Sequence, residues 1–509
     1  MTVTLAKQSY FTGDLRQNLL ESCIGRLRMA PRQEVVHTGF SAYDTFDGQL
    51  AREGWLLIGT GDKLCLLGEK IDPIWQRGAL PGFTADMGDG PVREVLLGIV
   101  SPLRRLMLIG EGDLDCRLLA LLDDEHKTRV RCECWTFMTK AGPTITRIAL
   151  QGVRGYDKAF SRLCARLGGF ENALSVEMVA GRLFPGTTGY AAKPAIDIAP
   201  DGTAFDTAGD IIRNYIAVAR QNEDGVIEDI DSEFLHDYRI ALRKIRSVLS
   251  LFRNVYAADF TDDLKARFNT LMARSGRLRD LDVYLIQRET YLDLVPRDMQ
   301  PGLKMLFEEF AAERTIEQRR FAAHLRSDGY RREMRDLIRL FDTPDSSLPK
   351  GPKADQPALD YARVMIWKRY RKVCATAAII SDATPDEQIH ELRIHCKKLR
   401  YLIEFFAPLF AADEIRILIK PLKKLQDTLG DFNDCSVQQE ALANILDGLD
   451  ETYADRKLEI AKSVGALLTM LDQRQKRARG QVTAYFMAFD SPATRDGFER
   501  LFRTGGGAS

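Results

Sequence analysis

Long hydrophobic runs are missing from this chain of 509 residues. No stretch of about 18 apolar residues occurs, which leaves no candidate for a membrane-spanning helix. The opening MTVTLAKQSYFTGDLRQ also lacks the apolar core of an export signal. Cysteine is sparse: nine residues are too few for a disulfide scaffold, and none stands in paired C-x-x-C spacing near histidines, which argues against a zinc module. Free thiols without an export signal predict a cytoplasmic protein. An excess of either charge is missing too, since Lys+Arg and Asp+Glu are both 72. Residues 1–208 hold 24 cations against 25 anions and the remainder 48 against 47, so neither part is a basic coat for nucleic acid. Neutral totals leave a polyanion site open, because attraction follows local potential and segregated charge makes one face positive. What is present is 45% hydrophobic, 9% aromatic and 28% charged, which excludes wholesale disorder and low-complexity classes. The length predicts two to four domains of roughly 150 residues each.

Residues 1–200 read as mixed structure leaning to strands. The runs GWLLIG (Gly54–Gly59), KLCLLG (Lys63–Gly68), REVLLGIV (Arg93–Val100), RLLALL (Arg117–Leu122) and ITRIAL (Ile145–Leu150) are separated by Gly, Pro and Asp and predict strands. One helical segment, YDKAFSRLCARLG (Tyr156–Gly168), closes the region. From Ala204 onward the pattern changes to long amphipathic helices. KPAIDIAPDGTAF (Lys193–Phe205) reads as an interdomain linker, and DTPDSSLPKGPKADQP (Asp342–Pro357) divides the helical region. The predicted organisation is α+β and multidomain: a mainly-β domain over 1–195, a linker over 196–206, and an all-α domain over 207–505. The all-α domain has halves at 207–341 and 358–505, joined by 342–357.

The helical region contains an internal repeat. HDYRIALRKIRS (His236–Ser247) matches HELRIHCKKLRY (His390–Tyr401), 154 residues later. Without a gap, the same offset aligns Phe252 with Phe406, Ala257-Ala258-Asp259 with Ala411-Ala412-Asp413, Gly276 with Gly430, Asp280 with Asp434, and Val283 with Val437. A register kept over nearly fifty positions predicts two related helical bundles.

At about 100° per residue, His236, Arg239, Arg243 and Arg246 fall within about 80° of one another on a helix surface. Leu235, Tyr238, Leu242, Ile245, Val248, Leu249 and Phe252 take the opposite, core-facing side. His390, Arg393, Lys397 and Arg400 form the same stripe in the second copy, with Lys244 and Lys398 near its border. These cations repel one another in the free protein, and a helix tolerates that when they are solvated or when an anion bridges them. A single basic helix face is ordinarily just solvated. Its recurrence at a fixed offset, histidine included, points to an anion. Catalysis by the histidines is not favoured, since no Ser or Cys nucleophile stands in register with His236 and Cys396 falls on the apolar side.

Neighbouring segments add charge: Lys265, Arg267, Arg274, Arg277 and Arg279 precede Asp280, and Lys420, Lys423 and Lys424 precede Asp434. WKRYRK (Trp367–Lys372) lies upstream of the second stripe. Guanidinium groups suit bidentate contact with phosphate oxygens, and lysine supplies point charge. Asp280 and Asp434 are expected to orient arginines. The D-x-D of Asp280 and Asp282 has Ser436 in its second place in the other copy, which weakens a metal reading.

The paired H-x-x-R-I-x-x-(K/R)-K-(I/L)-R helices, followed by S-G-R-L-R-D (Ser275–Asp280) and L-G-D-F-N-D (Leu429–Asp434), resemble the two halves of a CHAD domain (conserved histidine α-helical domain), over roughly Thr207 to Arg503. The resemblance implies two four-helix bundles related by pseudo-two-fold symmetry, with basic residues lining the surface between them, and binding of inorganic polyphosphate without processing it. The residues it marks are His236, Arg239, Arg243, Lys244 and Arg246, and His390, Arg393, Lys397, Lys398 and Arg400. AYDTFDGQLAREGWLLIG (Ala42–Gly59) and IALQGVRGYDKAFSRLCARLG (Ile148–Gly168) are similar to segments of CYTH domains, the triphosphate tunnel metalloenzymes. That family's N-terminal E-x-E-x-K, whose carboxylates hold a divalent metal, is absent from residues 1–40, and the strand that usually carries alternating arginines reads LLIG (Leu56–Gly59). Lys70, Arg131 and Glu133 are what remains of plausible tunnel charge, so a degenerate, inactive barrel is expected. Cys132 and Cys134 share one side of their strand but make no complete site.

The expectation is therefore a non-enzymatic protein without cofactor or metal that binds inorganic polyphosphate at polyphosphate granules. Its phosphate-binding set is the two marked groups of five with Arg274, Arg277, Lys420, Lys423 and Lys424, and no membrane or specific nucleic-acid partner is expected. The alternative is a metal-dependent triphosphatase whose helical domain recruits substrate; it needs tunnel cations and metal-binding carboxylates. A nucleic-acid-binding reading suffers from overall neutrality and from few aromatics interleaved with the stripe.

Overall fold

The structure, a computed structural model, describes residues 7–13, 23–69, 71–166, 173–187, 189–342, 348–381, 384–447 and 454–503. It divides into two compact units, Met1–Ala192 and Lys193–Ser509. The first unit is one antiparallel sheet of β1 (Lys7–Thr12), β2 (Cys23–Ile24), β3 (Leu27–Pro31), β4 (Val36–Asp44), β5 (Trp55–Thr60), β6 (Lys63–Gly68), β7 (Ile74–Arg77), β8 (Met107–Leu122), β9 (Thr128–Met138) and β10 (Ile145–Gly152). Their order is β1-β10-β9-β8-β4-β5-β6-β7, with β3 beside β8 and β2 beside β3. β8 is 16 residues long, so one of its edges serves both β4 and β3. The sheet curls into a half-barrel. Trp75 on β7 and Trp135 on β9 meet with ring centroids 5.7 Å apart, and Lys7 on β1 pairs with Asp72 at 2.6 Å. No ladder joins β1 to β7 among the described residues.

Short helices complete this unit: α1 (Gln49–Arg52), α2 (Pro91–Leu97), α3 (Asp157–Arg166) and α4 (Val176–Leu183). The run REVLLGIV, expected as a strand, is instead largely helix α2. Pro91 sits at the first turn, where its fixed φ suits a helix. Val92 and Leu96, one turn apart, bury together beside Leu57 and Leu66. On the concave face of the sheet Phe11, Phe40, Ile58, Trp135 and Phe137 pack against Val176, Val179 and Leu183 of α4. That end of the half-barrel is a solid apolar core, which an open tunnel would not be.

The second unit is all helical. Its first half comprises α5 (Ala204–Ile227), α6 (Ser232–Leu251), α7 (Ala258–Ala273), α8 (Gly276–Ile286), α9 (Arg288–Leu294), α10 (Gln300–Arg326) and α11 (Asp328–Asp342). Its second half comprises α12 (Ala358–Ala377), α13 (Asp386–Phe406), α14 (Ala412–Asp447), α15 (Ala454–Phe489) and α16 (Pro492–Phe502). Ala204, Ser232 and Ala258 begin helices, and Ala358, Asp386 and Ala412 begin their counterparts, each 154 residues on. The repeat seen in one motif therefore governs three helix starts per half. It breaks down within the next helices: α7 and α8 are separated at Arg274–Ser275 and α8 and α9 at Gln287, whereas α14 runs through both equivalent points unbroken. Thr203 caps α5 through Asp206 in a capping box, so the expected linker over 196–206 ends inside a helix start. The expected linker over 342–357 is pinned where it is described: Lys350 bridges to Tyr256, and Pro357 to Thr203.

Phe252 and Phe406 occupy equivalent positions and stack on each other, centroids 4.9 Å apart. A residue that meets its own repeat partner lies on a two-fold relation between the halves. A further core, with Leu303, Phe307 and Phe310 from the first half and Leu442, Ile460 and Val464 from the second, joins them through α10 and α15.

Gly225 on α5 illustrates the closeness of packing, because a Cβ there would overlap the ring of Phe234. Gly225→Ala gains about 1 kcal/mol of helix propensity but is expected to lose about 1–3 kcal/mol to overpacking. Urea denaturation followed by helicity should show net destabilisation; a stabilised variant would show that the ring moves aside freely.

Candidate anion-binding surface

Helix α6 opens on an aspartate cap, Asp231 accepting from the backbone N–H groups of Glu233 and Phe234. Tyr238, Leu242, Ile245 and Val248 are fully buried, as their period requires, and His236, Arg239, Arg243 and Arg246 stand half-buried on the other side. The stripe lies along α7 and α8. Arg239 donates to Ser275 Oγ at 2.7 Å and to the Met272 carbonyl at 3.2 Å, and Arg246 Nη1 lies 3.0 Å from Met272 Sδ. The break between α7 and α8 thus supplies the oxygen that seats Arg239.

The histidines are held in equivalent ways. Arg279 Nη2 is 2.8 Å from His236 Nδ1; arginine has only donors, so this nitrogen accepts. His390 Nδ1 is 2.6 Å from Asn433 Oδ1, and there the ring donates. Positions 279 and 433 are one repeat apart, so each histidine meets the same site on the neighbouring helix. Arg393 faces Asp434 at 3.4 Å, and Asp280 has Arg239 as its foremost cationic neighbour. The two aspartates orient arginines. Asp282 is bound by Arg314 at 2.9 Å, which accounts for it structurally, and no group of three or more potential metal ligands exists among the described residues.

The two stripes share one field. Burial, then the charges of Arg393, Arg243 and Arg400, pushes the Lys397 ammonium down to about 8. Arg243 belongs to the first half and the other two to the second. Arg243 also weighs on Arg239, Arg246 and Arg279, each held below its ordinary value chiefly by burial. Among the described residues neither Arg243 nor Lys397 is in an ion pair, whereas Arg400 shares Glu404 at 3.0 Å.

Other expected site residues lie apart. Lys244, expected at the border, is 6% exposed, paired with Glu404 of the second half and placed 4.2 Å from the Tyr401 ring centroid; it is a core cation. The reason is register: one residue past Arg243 the helix has turned toward α13. Arg277, by contrast exposed, is spent in a bidentate pair with Glu313. Arg274 is exposed and bears on His324. Lys420, Lys423 and Lys424 are exposed on α14. Lys398 faces away toward Arg369 and Arg253. Arg279, Asn433 and Ser275 were missed as contact residues. The repeat could have found the first two, since they hold the same place in the two motifs after the stripe.

In the first unit, Arg131 and Glu133 line a cavity of about 680 Å³ with Lys7, Arg32 and Asp72. Their strand partners Gln151 and Ala149 put them on the concave side. Lys70 lies outside the described residues. Strand β1 offers this side Lys7, Ser9 and Phe11, by their pairing with Gln151, Ala149 and Arg147, and no carboxylate. The Cys132 and Cys134 sulfurs are buried 3.4 Å apart in the core on the opposite face.

A family model described as the CHAD domain matches residues 210–443. The chain carries a CHAD domain. The match falls wholly within the second unit and spans both stripes. Among solved structures, the chain is similar to the crystal structure of the CHAD domain from the plant Ricinus communis, 24% identical, with 62% of this chain and 98% of that one covered and a TM-score of 0.47. It is also similar to PptA from Streptomyces chartreusis, 14% identical, with 56% and 100% covered and a TM-score of 0.42. No curated protein matches.

The Lys244–Glu404 pair makes a prediction about the CHAD core. Glu404→Leu strands a buried ammonium and should cost about 2–4 kcal/mol, and adding Lys244→Met should recover most of that loss. Denaturation of the single and double variants measures both. A single variant as stable as the wild type would mean that the ammonium reaches water once its partner is gone.

Proposed function

We propose that the CHAD domain binds inorganic polyphosphate along the two stripes and does not process it. The observation that carries the reading is the convergence of Arg243 and Lys397, from opposite halves, neither of them in an ion pair among the described residues, although Asp434 bears on Lys397 from farther off. A flexible chain with a negative charge on every phosphate relieves that repulsion at several points at once. Orthophosphate reaches only a few of the cations and forfeits the multivalent gain. Arginine forks suit phosphate oxygens, and His236 and His390 are fixed by neighbours in a hydrogen-bonded frame. The absence of processing is supported by the surroundings: the nearby Cys396 thiol is buried and raised well above its ordinary value, a poor nucleophile. Association with polyphosphate granules in the cytoplasm fits a binding role. For the first unit, the β1 strand K-x-S-x-F in place of metal-binding carboxylates favours a barrel without triphosphatase activity over the alternative of a metal-dependent triphosphatase.

Neutralising Arg239, Arg243 and Arg246 to Gln should weaken polyphosphate binding without abolishing it, and so should the triple at Arg393, Lys397 and Arg400. Combining the triples should remove binding at the stripes while helicity survives. Wild-type affinity should fall steeply with salt as counterions are released, and stiff duplex DNA of equal charge should compete poorly. Equal competition by DNA, charge for charge, would leave only a non-specific basic surface.

Lys397 predicts a pH step. Its folded value, near 8, means the ammonium is charged below that pH and lost as pH rises through it, so affinity should be lower at pH 9 than at pH 7. Lys397→Arg keeps its charge and should flatten the step. The same fall in the arginine variant would place the titration elsewhere.

A further inference from the structure

The halves differ in what surrounds Lys244 and its counterpart Lys398, and the difference makes a cluster of cations. In the first half Lys244 projects from α6 against the end of α13, where it meets Glu404 and the Tyr401 ring, and Tyr215 of α5 also feels Glu404 and Tyr401. One repeat later, Lys398 stands for Lys244 and Arg369 of α12 for Tyr215. The two-fold relation returns Ser250 for Glu404 and Ser247 for Tyr401. The ion pair has become a gathering of like charges.

Lys398 is held low by burial and then by Arg369, Arg253 and Lys372, and Arg369 by burial and then by Arg253. Arg253 follows the end of α6, so the cluster draws on both halves, as its counterpart does. Among the described residues no carboxylate pairs with Arg253, Arg369 or Lys398. Glu391 pairs with the outer lysine of the group, 3.7 Å from Lys372, and lies 3.1 Å from His395 Nε2. His395 Nδ1 in turn lies 3.4 Å from Arg369. Arg253 and Lys372 are exposed, while Arg369 and Lys398 are half-buried beneath them. A solvated basic face needs no half-buried members. Two cations held out of full hydration beside a third, without a counter-ion, are a site awaiting an anion.

We infer that Arg253, Arg369, Lys372 and Lys398 form a second phosphate-binding site, separate from the stripes, that takes one or two groups of an inorganic phosphate chain. The inference rests on the polyphosphate reading for its ligand class but on different residues. It explains why Lys398, one residue beyond Lys397, turns away from the stripe. It also gives WKRYRK a use through Arg369 and Lys372.

The test uses the full chain with both stripe triples replaced by Gln, titrated calorimetrically with sodium tripolyphosphate, and the wild type as reference. The stripe-neutralised chain should keep a weaker phosphate-binding event. Adding Arg369→Gln and Lys398→Gln should lower its affinity at least tenfold. Should those half-buried replacements unfold the protein, Arg253→Gln with Lys372→Gln, both exposed, should also weaken it, by several-fold. If the wild type binds and the stripe-neutralised chain binds nothing, the second site is overturned and the stripe reading stands. Residual binding indifferent to both pairs overturns it as well. A wild type that binds no phosphate chain overturns both readings.

Discussion

Like-charge repulsion, held in place by an apolar core, is the constraint on which the C-terminal unit turns. Arg243 and Lys397 cannot separate, because the helices that carry them are fixed by Tyr238, Leu242, Ile245 and Val248 on one side and Leu392, Cys396 and Leu399 on the other, all buried. Phe252 stacked on Phe406 closes the two helices against each other. The fold thus stores an unfavourable arrangement that an anion improves. Stability and affinity are coupled in such a site: whatever relieves the repulsion also favours the folded state.

The same logic shows how the halves have diverged. Where Lys244 goes inward it is neutralised by Glu404 and covered by aromatic rings; where its counterpart Lys398 stands, serines replace those partners and more cations gather. His236 is met by an arginine donor and His390 by an asparagine acceptor, so the two rings take different tautomers in equivalent places. The halves share a backbone plan and differ in how each settles its charges.

Much of this was legible in the sequence. The repeat of residues 236–247 at 390–401 foretold a pair of helices whose starts agree across each half, because the offset fixes the backbone and the apolar period fixes the buried side. The strands at Leu56, Leu64 and Ile148 were legible as well, since Gly and Pro punctuate them. Helix α2 was not, because an apolar run of this length suits either period and Pro91 lies just outside it. Nor were the fates of Lys244, Arg277 and Lys398. Periodicity places a side chain on a face but does not say whether Glu404 or Glu313 waits there, and those acids come from distant segments. The contact between Arg279 and His236 is tertiary for the same reason.

The claim that the stripes of both halves form one phosphate surface has a direct test. A crystal structure of the protein with a phosphate chain bound should show one continuous polymer touching Arg243 and Lys397, with the histidines and Arg239 and Arg393 flanking its path. Phosphate density confined to a single stripe, or lying away from both, would contradict it.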